Sequence, residues 1–306
     1  MRAIVLYNPT AGRGRGLHVA TQAVAALERA GWRARRIATR CGGDAQVLAV
    51  RLGHLAARIV VVGGDGTLRE VAAGVLAAQL SVELAIIPLG NANVVARDMG
   101  VPLETDAALE CAVSGSAQDL DALRVNGRLA LAMVGIGYDA QVTRAMDWAR
   151  KNVLLKRWYG WHGDSLYALV GAACLFEFFP ARFEIQLDGE PQAAPYRAAC
   201  VSNLETYAKG WAMTPGAKPA DGRLATMGRK RSFVPFTVLG LLHAAARKPA
   251  PAYLADYAHA KSVRILSKKP LSWQADGDYQ GQDTELQIQV LPAALHLLVP
   301  AAGSAH

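Results

Sequence analysis

One segment constrains the fold more than any other: Ile59-Val60-Val61-Val62-Gly63-Gly64-Asp65-Gly66-Thr67-Leu68-Arg69-Glu70-Val71. Its unbroken apolar run reads as a strand buried on both faces, and the residues after the glycines have helical composition. Strands covered on both faces belong to parallel sheets flanked by helices. Glycines at such a junction let the chain turn sharply and come close to a ligand. The new helix aims unpaired N–H groups and its positive dipole end at a bound anion, for which phosphate is the natural choice. A carboxylate at Asp65 suits a Mg²⁺ ion held directly or through water. A plain left-handed turn capped by Asp65 fits the same residues.

The alternation of strand and helix runs through roughly the first 115 residues. Strands are predicted over residues 3–7, 33–38, 59–62 and 84–87, and helices over 17–30, 44–55, 67–76 and 92–99, with Asp44 and Thr67 as N-caps. Two further strand-end turns repeat the logic. Ile86-Ile87-Pro88-Leu89-Gly90-Asn91-Ala92-Asn93-Val94-Val95-Ala96-Arg97 carries two amide side chains, and Tyr7-Asn8-Pro9-Thr10-Ala11-Gly12-Arg13-Gly14-Arg15-Gly16 follows the first strand. In an open parallel sheet all three turns lie at carboxyl ends of strands, where such folds bind ligands. The Gly63 turn does not end in Gly-Lys-Ser/Thr, and no acidic residue follows about 20 positions on to hold a ribose. The common P-loop and the dinucleotide fingerprint are therefore both disfavoured. Arg33, Arg35 and Arg36 read as solvent-facing residues of a strand.

Past Leu120 the pattern changes to strand-like runs over residues 129–134, 182–187, 198–202 and 263–266, with strands around Pro292 in the tail 286–299. Helical insertions fall near residues 141–176 and 233–246. Such runs argue for an antiparallel sheet or sandwich. The expected domains are 1–122 and 123–285, with 286–304 a candidate to pack back on the first. A chain of 306 residues, 52 % apolar and 19 % charged, is long and apolar enough for two cores. No charged leader precedes an apolar stretch near Met1, so no secretory signal is expected, and no apolar run approaches the ~18 residues of a membrane span. Four scattered cysteines point to neither a disulfide framework nor a zinc site and fit a reducing cytoplasm. A formal charge of +8 favours an anionic partner: nucleic acid, an acidic membrane or a phosphorylated small molecule. The seven histidines lack metal spacing, and no serine sits in a nucleophile elbow.

Taken together, Asn8-Pro9 with Gly12, the Gly63 to Thr67 turn and the Pro88 to Arg97 segment resemble the three nucleotide-binding motifs of the diacylglycerol kinase catalytic family, in its order and spacing. Gly135-Ile136-Gly137-Tyr138-Asp139-Ala140 resembles the segment that opens that family's second domain. Thr214-Pro215-Gly216-Ala217-Lys218-Pro219-Ala220-Asp221-Gly222-Arg223-Leu224 resembles the stretch carrying a structural Mg²⁺ in bacterial members, and Gln274-Ala275-Asp276-Gly277-Asp278 resembles the family's Asp-Gly-Glu motif. The likeness covers nearly the whole chain. It departs at Asn91, where Thr is usual, at Arg69, where Asn is usual, and at Asp278, where Glu is usual. Gly-Gly-Asp-Gly alone is shared with NAD kinases and phosphofructokinases. An NAD kinase-like small-molecule kinase and a nucleotide- or lipid-binding regulator without catalysis are therefore the competing readings.

The resemblance implies a Rossmann-like α/β N-terminal domain with a parallel sheet, followed by a mainly antiparallel β-sandwich C-terminal domain that takes a lipid. It implies ATP and Mg²⁺ as cofactors and transfer of the γ-phosphate to a hydroxyl of diacylglycerol or a related membrane lipid. Gly63, Gly64, Gly66 and Gly90 would cradle the phosphates, with Asn8, Gly12, Thr67, Asn91 and Asn93 completing the nucleotide site and Asp65 organising the catalytic Mg²⁺. Asp276 would act as general base with Asp278 in support, both domains contributing to one cleft. Asp221, with the carbonyls of Lys218 and Arg223, would hold the structural Mg²⁺. Without the resemblance, Asp276-Gly277 and Asp221-Gly222 read as turns.

Peripheral contact with an anionic membrane at the cytoplasmic inner face is expected from residues 148–161, where Leu154, Trp158 and Trp161 fall at helical spacing beside basic residues. A helix packed on its own sheet fits that pattern too. Arg229-Lys230-Arg231 and Lys268-Lys269 add to the basic face. No nucleic-acid-binding module is recognised. The oligomeric state is open, a homodimer included.

Overall fold

The computed structural model describes residues 1–151, 170, 171, 173, 174, 181–192, 195–207, 210–231 and 234–301. The first elements are β1 (Arg2–Tyr7), α1 (Ala11–Gly14), α2 (Gly16–Arg29), β2 (Arg33–Ala38), α3 (Asp44–Leu52), β3 (Arg58–Gly63), α4 (Asp65–Ala77), β4 (Glu83–Pro88), α5 (Val94–Asp98) and α6 (Thr105–Ser114). There follow β5 (Ser116–Val125), β6 (Arg128–Ala130), β7 (Met133–Ile136), α7 (Tyr138–Lys151), β8 (Phe183–Leu187), β9 (Glu190–Pro191) and β10 (Ala198–Ser202). The remaining elements are β11 (Thr206–Tyr207), β12 (Trp211–Ala212), β13 (Leu224–Arg229), a helix over Val234–Ala245, β14 (Ala255–Ala260), β15 (Ser262–Ala275) and β16 (Asp278–Val299).

The chain divides into two compact units. One comprises Met1–Ala122, Pro219–Asp221 and Leu291–His306; the other comprises Leu123–Lys218 and Gly222–Val290. In the first, β2, β1, β3, β4 and the end of β16 lie side by side in that order and all parallel. Every residue of β3 is buried, because helices cover both faces. Ala3, Val5 and Tyr7 share a core with Val19, Ala23 and Leu27 of α2, while Ile4 and Leu6, on the opposite face, are buried as well. Strand β2 is the edge, and Arg33, Arg35 and Arg36 on it are exposed, as a solvent-facing basic strand requires. Arg58 is buried within this unit. Its guanidinium pairs with Glu83, donates to the carbonyls of Ala112 and Val113 at the end of α6, and stacks on Trp32.

The expected N-caps move by one position or more. Gly43 and Gly64 precede α3 and α4, Asp44 lies in the first turn of α3, and Thr67 lies inside α4. Asp44 turns back to accept from the N–H of Arg40 at 2.8 Å, and the start of α3 is served from outside by Glu70 of α4. The Glu70 carboxylate accepts from Gly43 N–H at 2.8 Å and Ala45 N–H at 3.2 Å. A carboxylate brought by a neighbouring helix thus replaces the local cap. Those helices approach closely because Gly74 of α4 faces Gln46 and Ala49, where a Cβ would fall 2.5 Å from the Gln46 carbonyl oxygen.

The second unit is antiparallel. Strands β14, β13, β10, β7 and the end of β15 form one run, and the start of β15 pairs with β8 and β16. A register shift between Leu266 and Leu271 bends β15 and lets one strand serve both layers, which is how sandwich corners are made. Trp273, Phe183, Ile185, Leu286 and Val201 meet in the core between them. Two expectations are corrected here. The strand over 129–134 is interrupted at Leu131-Ala132, because their N–H groups are given to the Asp276 carboxylate. The tail is a single strand running through Pro292. The irregularity is absorbed at Ala293, with φ 45° and its N–H donated to Asp121 at 2.7 Å.

Candidate functional site

The three strand-end turns of the first unit are tied to one another by main-chain bonds. Gly12 N–H donates to Leu89 C=O at 3.1 Å, Leu89 N–H to Gly63 C=O at 2.8 Å, and Asn8 N–H to Val62 C=O at 3.1 Å. Gly64 and Gly90 touch back to back: a Cβ on Gly64 would fall 3.0 Å from the Gly90 Cα, and one on Gly90 would fall 2.8 Å from the Gly64 Cα. Gly63 leaves room for Thr67, whose hydroxyl folds back to within 2.8 Å of where a Gly63 Cβ would stand. Both Gly12 and Arg13 adopt left-handed φ of about 60°, which turns the first loop toward Leu89. Helix α4 begins with Leu68 N–H bonded to Gly64 C=O, so the N–H groups before Leu68, those of Gly66 and Thr67 among them, have no acceptor within the helix. Among the described residues, nothing lies within 4 Å of a Cβ built on exposed Gly66. Backbone N–H groups grouped in this way at a helix start are suited to an anion.

Several expected ligands also brace the turns. The Asp65 carboxylate accepts from Val94 N–H at 3.0 Å and Val95 N–H at 3.1 Å, so it caps α5 and ties the second turn to the third. Burial raises its pKa, and those main-chain bonds oppose the rise. Asn93 is buried with φ 47°. Its Oδ1 accepts from Gly90 N–H at 3.0 Å and its Nδ2 donates to Gly90 C=O at 2.9 Å, closing the loop on itself instead of pointing outward. Asn8 Oδ1 accepts from both the N–H and the hydroxyl of Thr10. Asn91 alone of the expected amides is exposed.

In the second unit, Asp276 and Gly277 form the two-residue turn between β15 and β16, with φ of 50° and 81°, the conformation of a type I′ hairpin. Asp276 accepts from the N–H groups of Leu131 and Ala132 at 2.8 Å and Met133 at 3.0 Å. Two sister turns do likewise: Asp188 accepts from Lys261 and Ser262, and Asn126 exchanges bonds with Gln287 and Glu285. A gripping role thus accounts for the turn chemistry of Asp276. A carboxylate offers about four acceptor sites, so three main-chain bonds do not exhaust it. Gly277 N–H donates to Gln274 Oε1 at 2.8 Å, and Gln274 Nε2 donates to Asp139 Oδ2 at 2.5 Å. Tyr207 donates a short bond to the other Asp139 oxygen. Enclosure raises the Asp139 pKa against the pull of these two donors.

The profile of the diacylglycerol kinase catalytic domain matches residues 2–125, and that of the YegS C-terminal NAD kinase beta sandwich-like domain matches residues 132–299. The chain belongs to the diacylglycerol kinase catalytic domain family. It is 27 % identical over 289 residues to a diacylglycerol kinase of Bacillus subtilis (strain 168), covering 92 % of this chain and 90 % of that one. It is 32 % identical over 282 residues, with the same coverage, to a probable lipid kinase YegS-like of Pseudomonas putida. A crystal structure of a putative diacylglycerol kinase from Bacillus anthracis str. Sterne shares the fold at TM-score 0.78 and 22 % identity, over 98 % of both chains.

In this member of the diacylglycerol kinase family, Gly64 and Gly90 approach so closely that only glycine fits at either position. For Mg²⁺ the donors are sparse: among the described residues no three His, Cys, Asp or Glu side chains gather closely enough to hold an ion. A divalent ion fits if most of its ligands come from carbonyls, water or the nucleotide phosphates, which is usual for Mg²⁺. Asp221 is exposed in a bend of the first unit, while exposed Lys218 and Arg223 belong to the second. Asp278 is half-buried as the first residue of β16. Trp148 is 66 % exposed at the end of α7, and the remainder of the expected membrane helix, with Leu154, Trp158 and Trp161, lies outside the described residues. No helix among the described residues is long and apolar enough to cross a membrane.

Motif reading alone gives Asp139 no role. Its signal was the Gly135-x-x-x-Asp139 spacing: a Cβ on Gly135 would fall on the Asp139 carboxylate and within 2.7 Å of Gln274 Nε2, so glycine is what lets Asp139 fold back. Asp139 also borders a mainly apolar cavity of about 40 Å³ between β7, β10, β13 and the Val234–Ala245 helix.

Proposed function

We propose that this diacylglycerol kinase family member transfers the γ-phosphate of ATP to a hydroxyl of diacylglycerol or a related membrane lipid. The observation that carries this reading is the glycine cradle, three strand-end turns locked edge to edge at the start of α4, in a chain of this family. ATP, when bound, supplies the phosphoryl group and, with Mg²⁺, the means to neutralise its charge. The first N–H groups of α4, at Gly66 and Thr67, hold phosphate oxygens with the helix dipole behind them. Asp65 and Asn93 keep the turns in register so that those donors do not reorganise when charge develops. The lipid hydroxyl oxygen forms the new bond to phosphorus as the bond to the leaving ADP oxygen breaks. Its proton passes to the carboxylate of Asp276, the base the family resemblance implies. The apolar cavity of the second unit supports an acyl-bearing acceptor.

Transfer from labelled ATP to diacylglycerol, ceramide, sphingosine and NAD in mixed micelles tests the reading. Phosphorylated lipid is expected, and exclusive use of NAD would end it. Asp276→Asn should abolish turnover while nucleotide binding persists; undiminished turnover would remove Asp276 from the base role.

A further inference from the structure

Arg229 closes β13, on the same face as Met227, and is 6 % exposed. Among the described residues, neither its Nε nor its Nη2 has a hydrogen-bond partner. Both belong to a side chain that lines the second unit's cavity, whose walls include Met133, Ile136, Met227 and Leu254. The other polar groups on that wall are engaged: Asp139 by Tyr207 and Gln274, Tyr138 by the carbonyl of Gly171, Tyr257 by the N–H of Ala250. Burial pushes the Arg229 guanidinium down to about 10, so it remains a cation at neutral pH. A buried cation with two undirected donors is costly to keep, and a substitution that simply removed it would relieve the fold. Its place is explained if a ligand brings the missing acceptor.

We propose that Arg229 is the specificity-determining residue of this cavity. It receives the carbonyl or carboxylate oxygen of an acyl chain on Nε–H and Nη2–H, and it excludes a lipid that presents an ammonium group there. The apolar walls suit the chain, the guanidinium fork suits an sp² oxygen, and a sphingoid amine would place like charges together in a low-dielectric site. The cavity is small, and the unbranched side chains of Met133, Met213 and Met227 on its wall can repack around an incoming chain. This inference rests on the lipid-kinase reading for the identity of the acceptor, but not for its test.

The test is equilibrium binding, without ATP, of dioctanoylglycerol, decanoate and sphingosine to wild type, Arg229→Met and Arg229→Lys. Wild type is expected to bind the two acyl ligands in preference to sphingosine. R229M should lose about 10- to 100-fold in acyl affinity and gain affinity for sphingosine. R229K should keep the wild-type order. R229M should also melt no lower than wild type, since it removes an unpaired buried charge. Binding of decanoate but not dioctanoylglycerol would keep the acceptor chemistry and make a free fatty acid its source. Equal acyl affinity in R229M and wild type, or an R229M protein that melts well below wild type, would overturn the inference. If Arg229-dependent acyl binding occurs without phosphate transfer, the kinase reading fails and this one stands. If R229M phosphorylates diacylglycerol with unchanged KM and selectivity, the reverse holds.

Discussion

Gly66→Ala separates stability from nucleotide binding at one atom. Gly66 is the second residue of α4, has no left-handed φ, and a Cβ built there meets nothing within 4 Å among the described residues. Replacing glycine in a helix should therefore stabilise the protein by up to about 0.5–1 kcal/mol, through the entropy lost by the unfolded chain and helix propensity. For a chain of this size that is a rise of about 1–4 °C in Tm. The open space beside Gly66 is also where a phosphate would approach its N–H. A methyl there should hold the anion away and weaken binding of a non-hydrolysable ATP analogue by about 10-fold or more, equivalent to ~1.4 kcal/mol. Gly64→Ala provides the contrast. With φ −105° the backbone accepts alanine, but the Gly90 Cα at 3.0 Å does not, so about 1–3 kcal/mol of stability should be lost together with binding. Thermal denaturation followed by circular dichroism, with titration calorimetry of the analogue, reads both quantities. A G66A protein that is more stable and binds the analogue as well as wild type would show that the phosphates do not sit at the start of α4.

Asn93→Ala should lower the urea midpoint by an amount equal to about 2–3 kcal/mol, since it removes both bonds to Gly90 and leaves alanine at φ 47°. Asn93→Gly, which relieves the backbone but not the lost bonds, should cost visibly less; equal losses would refute the strain argument. Asp139 has a raised pKa in the folded state, so its contribution to stability is present below the ordinary carboxylate value and is lost as pH rises through the folded value. The difference in urea midpoint between wild type and Asp139→Asn should therefore fall as pH is raised from about 4 to 7. A difference that grew with pH would mean that the carboxylate is not enclosed.

Much of this protein was legible in contiguous stretches of sequence. The α/β half followed from apolar runs alternating with helical spacing, and β2 and β10 begin and end where their residue patterns place them. The glycine turns were legible for the same reason: a glycine's φ or its closeness to another backbone leaves a trace within a few residues. The bend in β15 and the passage of β16 through Pro292 left no such trace, because both are settled by partners far along the chain.

Side-chain roles at the site depended most on tertiary structure. Asp65 and Asn93 read as ligands, and folding also gives them N–H groups to hold, those of Val94 and Val95 and of Gly90; Glu70, which had no role in the sequence reading, holds those of Gly43 and Ala45. Asp276 read as a catalytic carboxylate, and the fold shows it gripping residues 131–133 as well. Residue type and spacing determined that this chain makes a parallel sheet with glycine turns at its strand ends. Which carboxylate is engaged by backbone, and which buried cation keeps donors without an acceptor among the described residues, was decided by distances between residues that are remote in sequence, since a hydrogen bond's worth depends on what else its atoms can reach.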